Sequence, residues 1–167
     1  MTSPDEDWEK RISELWAAID EHDENEFIAL IDRMATELPP GNAIGLFERA
    51  AALDSTGHSD LAIPLYKAAL DAGLVTIRRR RAIIQMASSL RNIGKPQDAV
   101  ALLTAELDGE NDTLTGAVRA FLALALVDVG REREAVAVAL TALSKYLPRY
   151  NRSVARYAQD LITGSST

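Results

Sequence analysis

The chain has no cysteine among its 167 residues, which excludes disulfides, thiolate metal sites and cysteine nucleophiles at one stroke. Two histidines, His22 and His58, are too few imidazoles for an ordinary metal centre. Aromatic residues make up only 5%, which argues against the stacking platforms that hold single-stranded nucleic acid. No run of eighteen apolar residues occurs, so no membrane-crossing helix is expected. The N-terminus, Met1-Thr2-Ser3-Pro4-Asp5-Glu6-Asp7, is acidic where a secretory signal is basic and then apolar. The resulting expectation is a cytoplasmic protein without metal, cofactor or membrane contact. HExxH, phosphate-loop and dinucleotide glycine motifs are also absent. Asp54, Ser55 and His58 superficially suggest a triad, but they crowd one helix end with no sign of an oxyanion hole. The reading is non-enzymatic.

What the chain does contain is a repeat. Gly57, Gly94 and Gly130 are spaced by 37 and 36 residues. Alanine stands five residues after each (Ala62, Ala99, Ala135) and seven before (Ala50, Ala87, Ala123), while leucine stands four before (Leu53, Leu90, Leu126) and thirteen after (Leu70, Leu107, Leu143). A period of this length marks a stacked array of two-helix units. Each glycine lies where a backbone without Cβ takes the left-handed turn that returns the second helix against the first.

The spacing predicts helix pairs over 43–56 and 59–72, 76–93 and 96–107, and 113–129 and 131–146, with a last helix over 149–163. Upstream, Ser3-Pro4-Asp5-Glu6 reads as a capping box. It opens a helix striped by Trp8, Ile12, Leu15, Trp16 and Ile19, and a second helix with Phe27, Leu30, Ile31, Met34 and Leu38 ends at Pro39-Pro40. Ser59 is expected to cap its helix, Pro96 suits a first turn, and Pro64 removes a hydrogen bond inside a helix and should bend it. The organisation is one all-α repeat domain over 1–167. It comprises an acidic hairpin (1–40), three helix pairs (41–147), a capping helix (148–163) and a short tail (164–167).

The segments TGHSDLAIPLYKAAL, IGKPQDAVALLTAEL and VGREREAVAVALTAL resemble the turn and second helix of the tetratricopeptide repeat. LFERAAALDSTGHSDLAIPLYKAALDAGL, IIQMASSLRNIG, AFLALALVDVG and LPRYNRSVARYA resemble a family of small bacterial tetratricopeptide-repeat proteins whose role is unassigned. The resemblance implies a right-handed superhelix of antiparallel helix pairs. Its first helices would line a concave groove for a peptide or partner protein, with no activity attached. Chaperone-binding members grip a terminal carboxylate with lysine and asparagine at the fifth and ninth positions of those helices. Phe47 and Ala51, Ile84 and Ser88, and Ala120 and Leu124 stand there instead, so that clamp is missing.

Charge is unevenly distributed. Residues 1–40 carry twelve acids and three bases, net −9, whereas 41–167 carry thirteen acids and fifteen bases, net +2. The mildly basic body points to an acidic partner segment, for which the acidic arm is a potential competitor. On the first helix of the middle repeat, Arg81, Gln85, Ser88, Arg91 and Asn92 recur at three- and four-residue steps, opposite Ile83, Met86, Ala87, Leu90 and Ile93. Arginine forks grip carboxylates bidentately, and amides read a peptide backbone. In the last helix, Arg149, Arg152 and Arg156 lie opposite Tyr150, Val154, Tyr157 and Leu161. The tyrosine side is expected to pack on the last repeat and the arginines to extend the groove. The candidate binding residues are therefore Arg81, Gln85, Ser88, Arg91, Asn92, Arg152 and Arg156. Of the run Arg78–Arg81, only Arg78 and Arg81 share a face, so nucleic acid is disfavoured as a partner.

Ala117, Ala120, Leu124 and Val127 make the third first-helix apolar on its groove side too. The terminal helix is the expected cover, with a second copy of the chain, giving a homodimer, or an apolar ligand segment as the alternatives. Phe47 and Ile44 raise the same question in the first repeat, where the N-terminal hairpin is the expected cover. Asp54 and Asp128, close before turn glycines, are expected to cap or solvate helix ends.

Overall fold

The computed structural model describes residues 4–109 and 111–164. Among these residues every regular element is helical. The helices are α1 (Glu6–Ala17), α2 (Glu24–Thr36), α3 (Ala43–Ser55), α4 (Ser59–Asp71), α5 (Thr76–Asn92), α6 (Pro96–Leu107), α7 (Thr115–Asp128), α8 (Glu132–Ser144) and α9 (Asn151–Thr163), with a 3-10 turn at Ile19–Glu21. The chain divides into two compact units, residues 1–89 and 90–167.

The repeated glycines stop helices as their spacing predicts. Gly57, Gly94 and Gly130 all have φ between +74° and +85°. The next residue's N–H returns to the carbonyl of the repeated leucine: His58 to Leu53 at 2.8 Å, Lys95 to Leu90 at 2.8 Å and Arg131 to Leu126 at 2.9 Å. This six-to-one bond closes the helix end from the main chain alone. A Cβ at Gly94 meets no atom within 4 Å, so Gly94→Ala isolates the conformational cost. It should lower stability by about 1–2 kcal/mol, read from the urea midpoint at constant slope.

In the first unit, Trp8 and Ile12 of α1 are buried with Phe27 and Ile31 of α2 and Ala52 of α3, and Ile44 packs against this cluster. The hairpin therefore does cover Ile44. Trp8 Nε1 donates to the Met34 carbonyl at 2.9 Å, and the Arg11 guanidinium forks onto Glu37 at 2.9 and 2.6 Å. That contact holds the Arg11 guanidinium above, and the Glu37 carboxyl below, their ordinary pKa ranges. Behind α3, Ala50, Ala62 and Ala69 are fully buried, and these small side chains let α3 and α4 approach closely.

In the second unit α6 packs on α7, α7 on α8 and α8 on α9. Ala99, Ala123 and Ala135 are buried, as are Leu103 and Leu126. The last leucine column is looser: Leu70 and Leu107 are half-buried and Leu143 is exposed.

Several expectations need correction. The first helix is capped by Asp5, whose side chain accepts the Trp8 N–H at 2.8 Å, and it starts at Glu6. Pro4 precedes the helix, and the proposed cap Ser3 lies outside the described residues. Ser59 is the first residue of α4 rather than its cap; it is buried and donates to Asp54 at 3.2 Å. Asp54 is accordingly no solvated helix end, since it also accepts from Ser89 at 2.6 Å and Tyr66 at 3.4 Å. Burial, then the Asp54 charge, push the Tyr66 hydroxyl far above its usual pKa. Pro64 sits inside α4 on its exposed side, and the helix continues through it to Asp71.

The terminal helix departs most. It packs on α8, with Ala158 fully buried and Val154 and Leu161 half-buried. Tyr150 and Tyr157 remain 74% and 54% exposed. A side chain as small as Ala158 allows two helices to approach closely. Nor does α9 cover the apolar side of α7, where Leu124 and Val127 stay 48% and 51% exposed.

Candidate functional site

Within the first unit, α1, α3 and α5 converge on a cleft of about 270 Å³ lined by Glu9, Ile12, Ser13, Trp16, Glu48, Arg78 and Arg81. Its floor is a buried carboxylate. Glu48, on α3, is 2% exposed, and a charge so buried needs compensation by hydrogen bonds and an opposite charge. Both are present: Trp16 Nε1 donates to Glu48 Oε2 at 2.7 Å, and Arg78 Nε donates to Oε1 at 3.1 Å. The remaining fork of Arg78 grips Glu9 of α1 at 2.9 and 2.6 Å. Burial works to lower the Arg78 pKa, but the bonds and charges of Glu9 and Glu48 outweigh it and leave it above the ordinary value.

One turn further along α5, Arg81 lies over the ring of Phe47, 5.2 Å from guanidinium carbon to ring centroid. Phe47 is itself fully buried beside Tyr66, with centroids 6.3 Å apart. The ring fixes the arginine by cation–π attraction while the guanidinium stays exposed at the cleft edge. Among the described residues Arg81 makes no hydrogen bond or ion pair, so its donors are available to a ligand.

The run Arg78–Arg81 is therefore split by direction. Arg78 neutralises Glu48, Arg80 is buried, and Arg81 faces the cleft. Sequence reasoning singled out Arg81 but not the Glu9, Trp16, Glu48 and Arg78 network. Its one signal was a glutamate at position 48, which with Arg49 interrupts an apolar stretch of α3.

The other candidates fare differently. Gln85 and Ser88 follow Arg81 along α5 in the first unit and are half-buried; the Gln85 Oε1 is buried and accepts no hydrogen bond. Arg91, in the second unit, is ion-paired to Asp128. Charge reversal at Arg91 would set two carboxylates against each other and confuse binding with stability. Asn92 is exposed and has a partner within the protein. Arg152 and Arg156 are exposed on α9, Arg156 lying 5.0 Å from the Tyr157 ring. Opposite the α5 polar side, Ile83, Met86, Ala87 and Leu90 are buried, whereas Ile93 is exposed. No cluster of metal-ligating side chains and no helix long and apolar enough to cross a membrane occurs among the described residues.

Comparison with known proteins agrees with the helical pairing. The chain matches the family model described as Tetratrico peptide repeat over residues 43–161. Searches of curated proteins and of solved structures returned no match. Repeats of this kind serve in general as protein–protein interaction scaffolds, and an all-α array with left-handed glycine turns every 36–37 residues is their architecture. The match spans well over half of the chain, which therefore belongs to the tetratricopeptide-repeat family.

Proposed function

We propose that the protein is a non-enzymatic cytoplasmic scaffold that holds an acidic segment of a peptide or partner protein, with Arg81 as the anchoring cation. The observation that carries this reading is the Arg81 guanidinium, held over Phe47 at the edge of an open cleft with its donors unused. An arginine already fixed by a ring loses little freedom on binding, and a bidentate carboxylate contact fits its fork. Ser13 and Trp16 on the opposite wall, and Gln85 and Ser88 along α5, supply further polar and apolar contact.

The acidic hairpin competes only in part. Glu9 occupies Arg78 and leaves Arg81 free. Arg81→Glu should abolish capture of acidic-segment proteins from lysate without shifting the melting temperature. For an isolated partner, Arg81→Ala should weaken binding about 10- to 100-fold, as expected for a lost charge-assisted bond. An unchanged set of captured proteins for Arg81→Glu refutes the reading. A second reading, self-association through α7, has the exposure of Leu124 and Val127 in its favour. It predicts that a concentration-dependent oligomer disappears on Leu124→Asp with Val127→Asp.

A further inference from the structure

Three of the four tyrosines, Tyr146, Tyr150 and Tyr157, are exposed within twelve residues at the start of and along α9. They share that surface with Arg149, Arg152 and Arg156, none of which has an ion pair among the described residues. Tyrosine and arginine meet at Arg156, whose guanidinium lies 5.0 Å from the centroid of the Tyr157 ring. Tyrosine and arginine are the side chains most often found at energetic centres of protein interfaces.

A second observation is independent of composition. Tyr150 has φ of +65°, one of two non-glycine residues with positive φ among the described residues. Glycine or asparagine is the inexpensive occupant of such a position; the Tyr150 carbonyl accepts the Val154 N–H at 2.9 Å, as any residue's would, while its side chain makes no capping bond and the residue is 74% exposed. A strained position held by a large exposed side chain points to a contact outside the fold.

The charge of that contact follows. Residues 145–164 carry four bases and one acid, net +3. Tyrosine hydroxyls and arginine forks together present donors to carboxylates. Packing this face on its own copy would bring two surfaces of like charge together, which opposes a symmetric pairing. A complementary surface exists on the chain itself, because the N-terminal hairpin is net −9 over residues 1–40. At the turn between α1 and α2, Asp20, Glu21 and Glu24 are exposed and have no ion pair among the described residues.

We propose that the Tyr/Arg face of α9 docks the acidic α1–α2 turn of a second copy of this chain, in a head-to-tail contact. In such a pair one copy keeps its acidic turn unused and the other its Tyr/Arg face, so association grows beyond a dimer or closes into a ring.

Sedimentation velocity of the full chain up to about 200 µM should show concentration-dependent association at about 20 mM salt, suppressed at about 0.5 M. Arg152→Glu with Arg156→Glu should give a monomer at low salt, as should Asp20→Lys with Glu21→Lys and Glu24→Lys. Mixing the two variants should restore association in alternating order, a result that loss of folding cannot produce. Tyr150→Gly should hold or raise the melting temperature while weakening association at least about tenfold, the size of a hot-spot loss. A wild-type monomer throughout, a mixture that stays monomeric, or an oligomer abolished only by Leu124→Asp with Val127→Asp overturns the proposal.

Discussion

Arg78→Met lowers the free energy of unfolding by about 3–5 kcal/mol, the cost of leaving a buried carboxylate without its counter-charge. The methionine keeps much of the apolar stem but removes the bond to Glu48 and both bonds to Glu9. Glu9 is partly exposed and recovers water, whereas Glu48 keeps only the Trp16 donor. The effect is thus assigned to Glu48. Adding Glu48→Gln to Arg78→Met should recover most of the loss, because a neutral amide is far cheaper to bury than an anion. A double-mutant cycle in urea gives the coupling. Equal destabilisation in the single and double variants would mean that Arg78 acts by packing alone.

Phe47→Ala carries a cost of similar size, about 3–5 kcal/mol, by loss of buried surface and the cavity left behind. The ring touches both sides of the argument. Within the core it packs beside Tyr66, and at the cleft it supports Arg81. Phe47→Leu separates these roles: it should cost less than about 1.5 kcal/mol in stability. It also removes the π face beneath the guanidinium, worth about 0.5–1 kcal/mol at an exposed site. Partner affinity should therefore fall roughly two- to fivefold in a protein that melts nearly as before. Affinity equal to wild type in Phe47→Leu would show that the ring does not position Arg81.

The helices were legible because their signals are local. Glycine turns, alanine columns and the proline at the start of α6 act within a few residues, and the predicted repeat helices match the observed ones to within about two residues at each end. Arg81 was also legible, since helical spacing alone separates it from Arg79 and Arg80. The partners of Arg78 were not: they lie 30 and 69 residues away in sequence, and no periodicity within one helix announces them. The same holds for Arg91, whose place on a polar stripe says nothing of Asp128, 37 residues on. The orientation of α9 was misjudged for a different reason. Hydrophobicity favours burying tyrosine, but the residue that is fully buried is Ala158, next to Tyr157 and outside the stripe that the spacing picked out.

The six-to-one bonds behind Gly57, Gly94 and Gly130 use main-chain atoms only. A block copied whole by gene duplication would carry its own stop signal and need no matching partner elsewhere to end its helix. Lineages could lengthen or shorten such a chain by one unit at a time, and the first helix of each pair would be free to diversify, as the contrast between Arg81 and its counterparts Ile44 and Ala117 already illustrates.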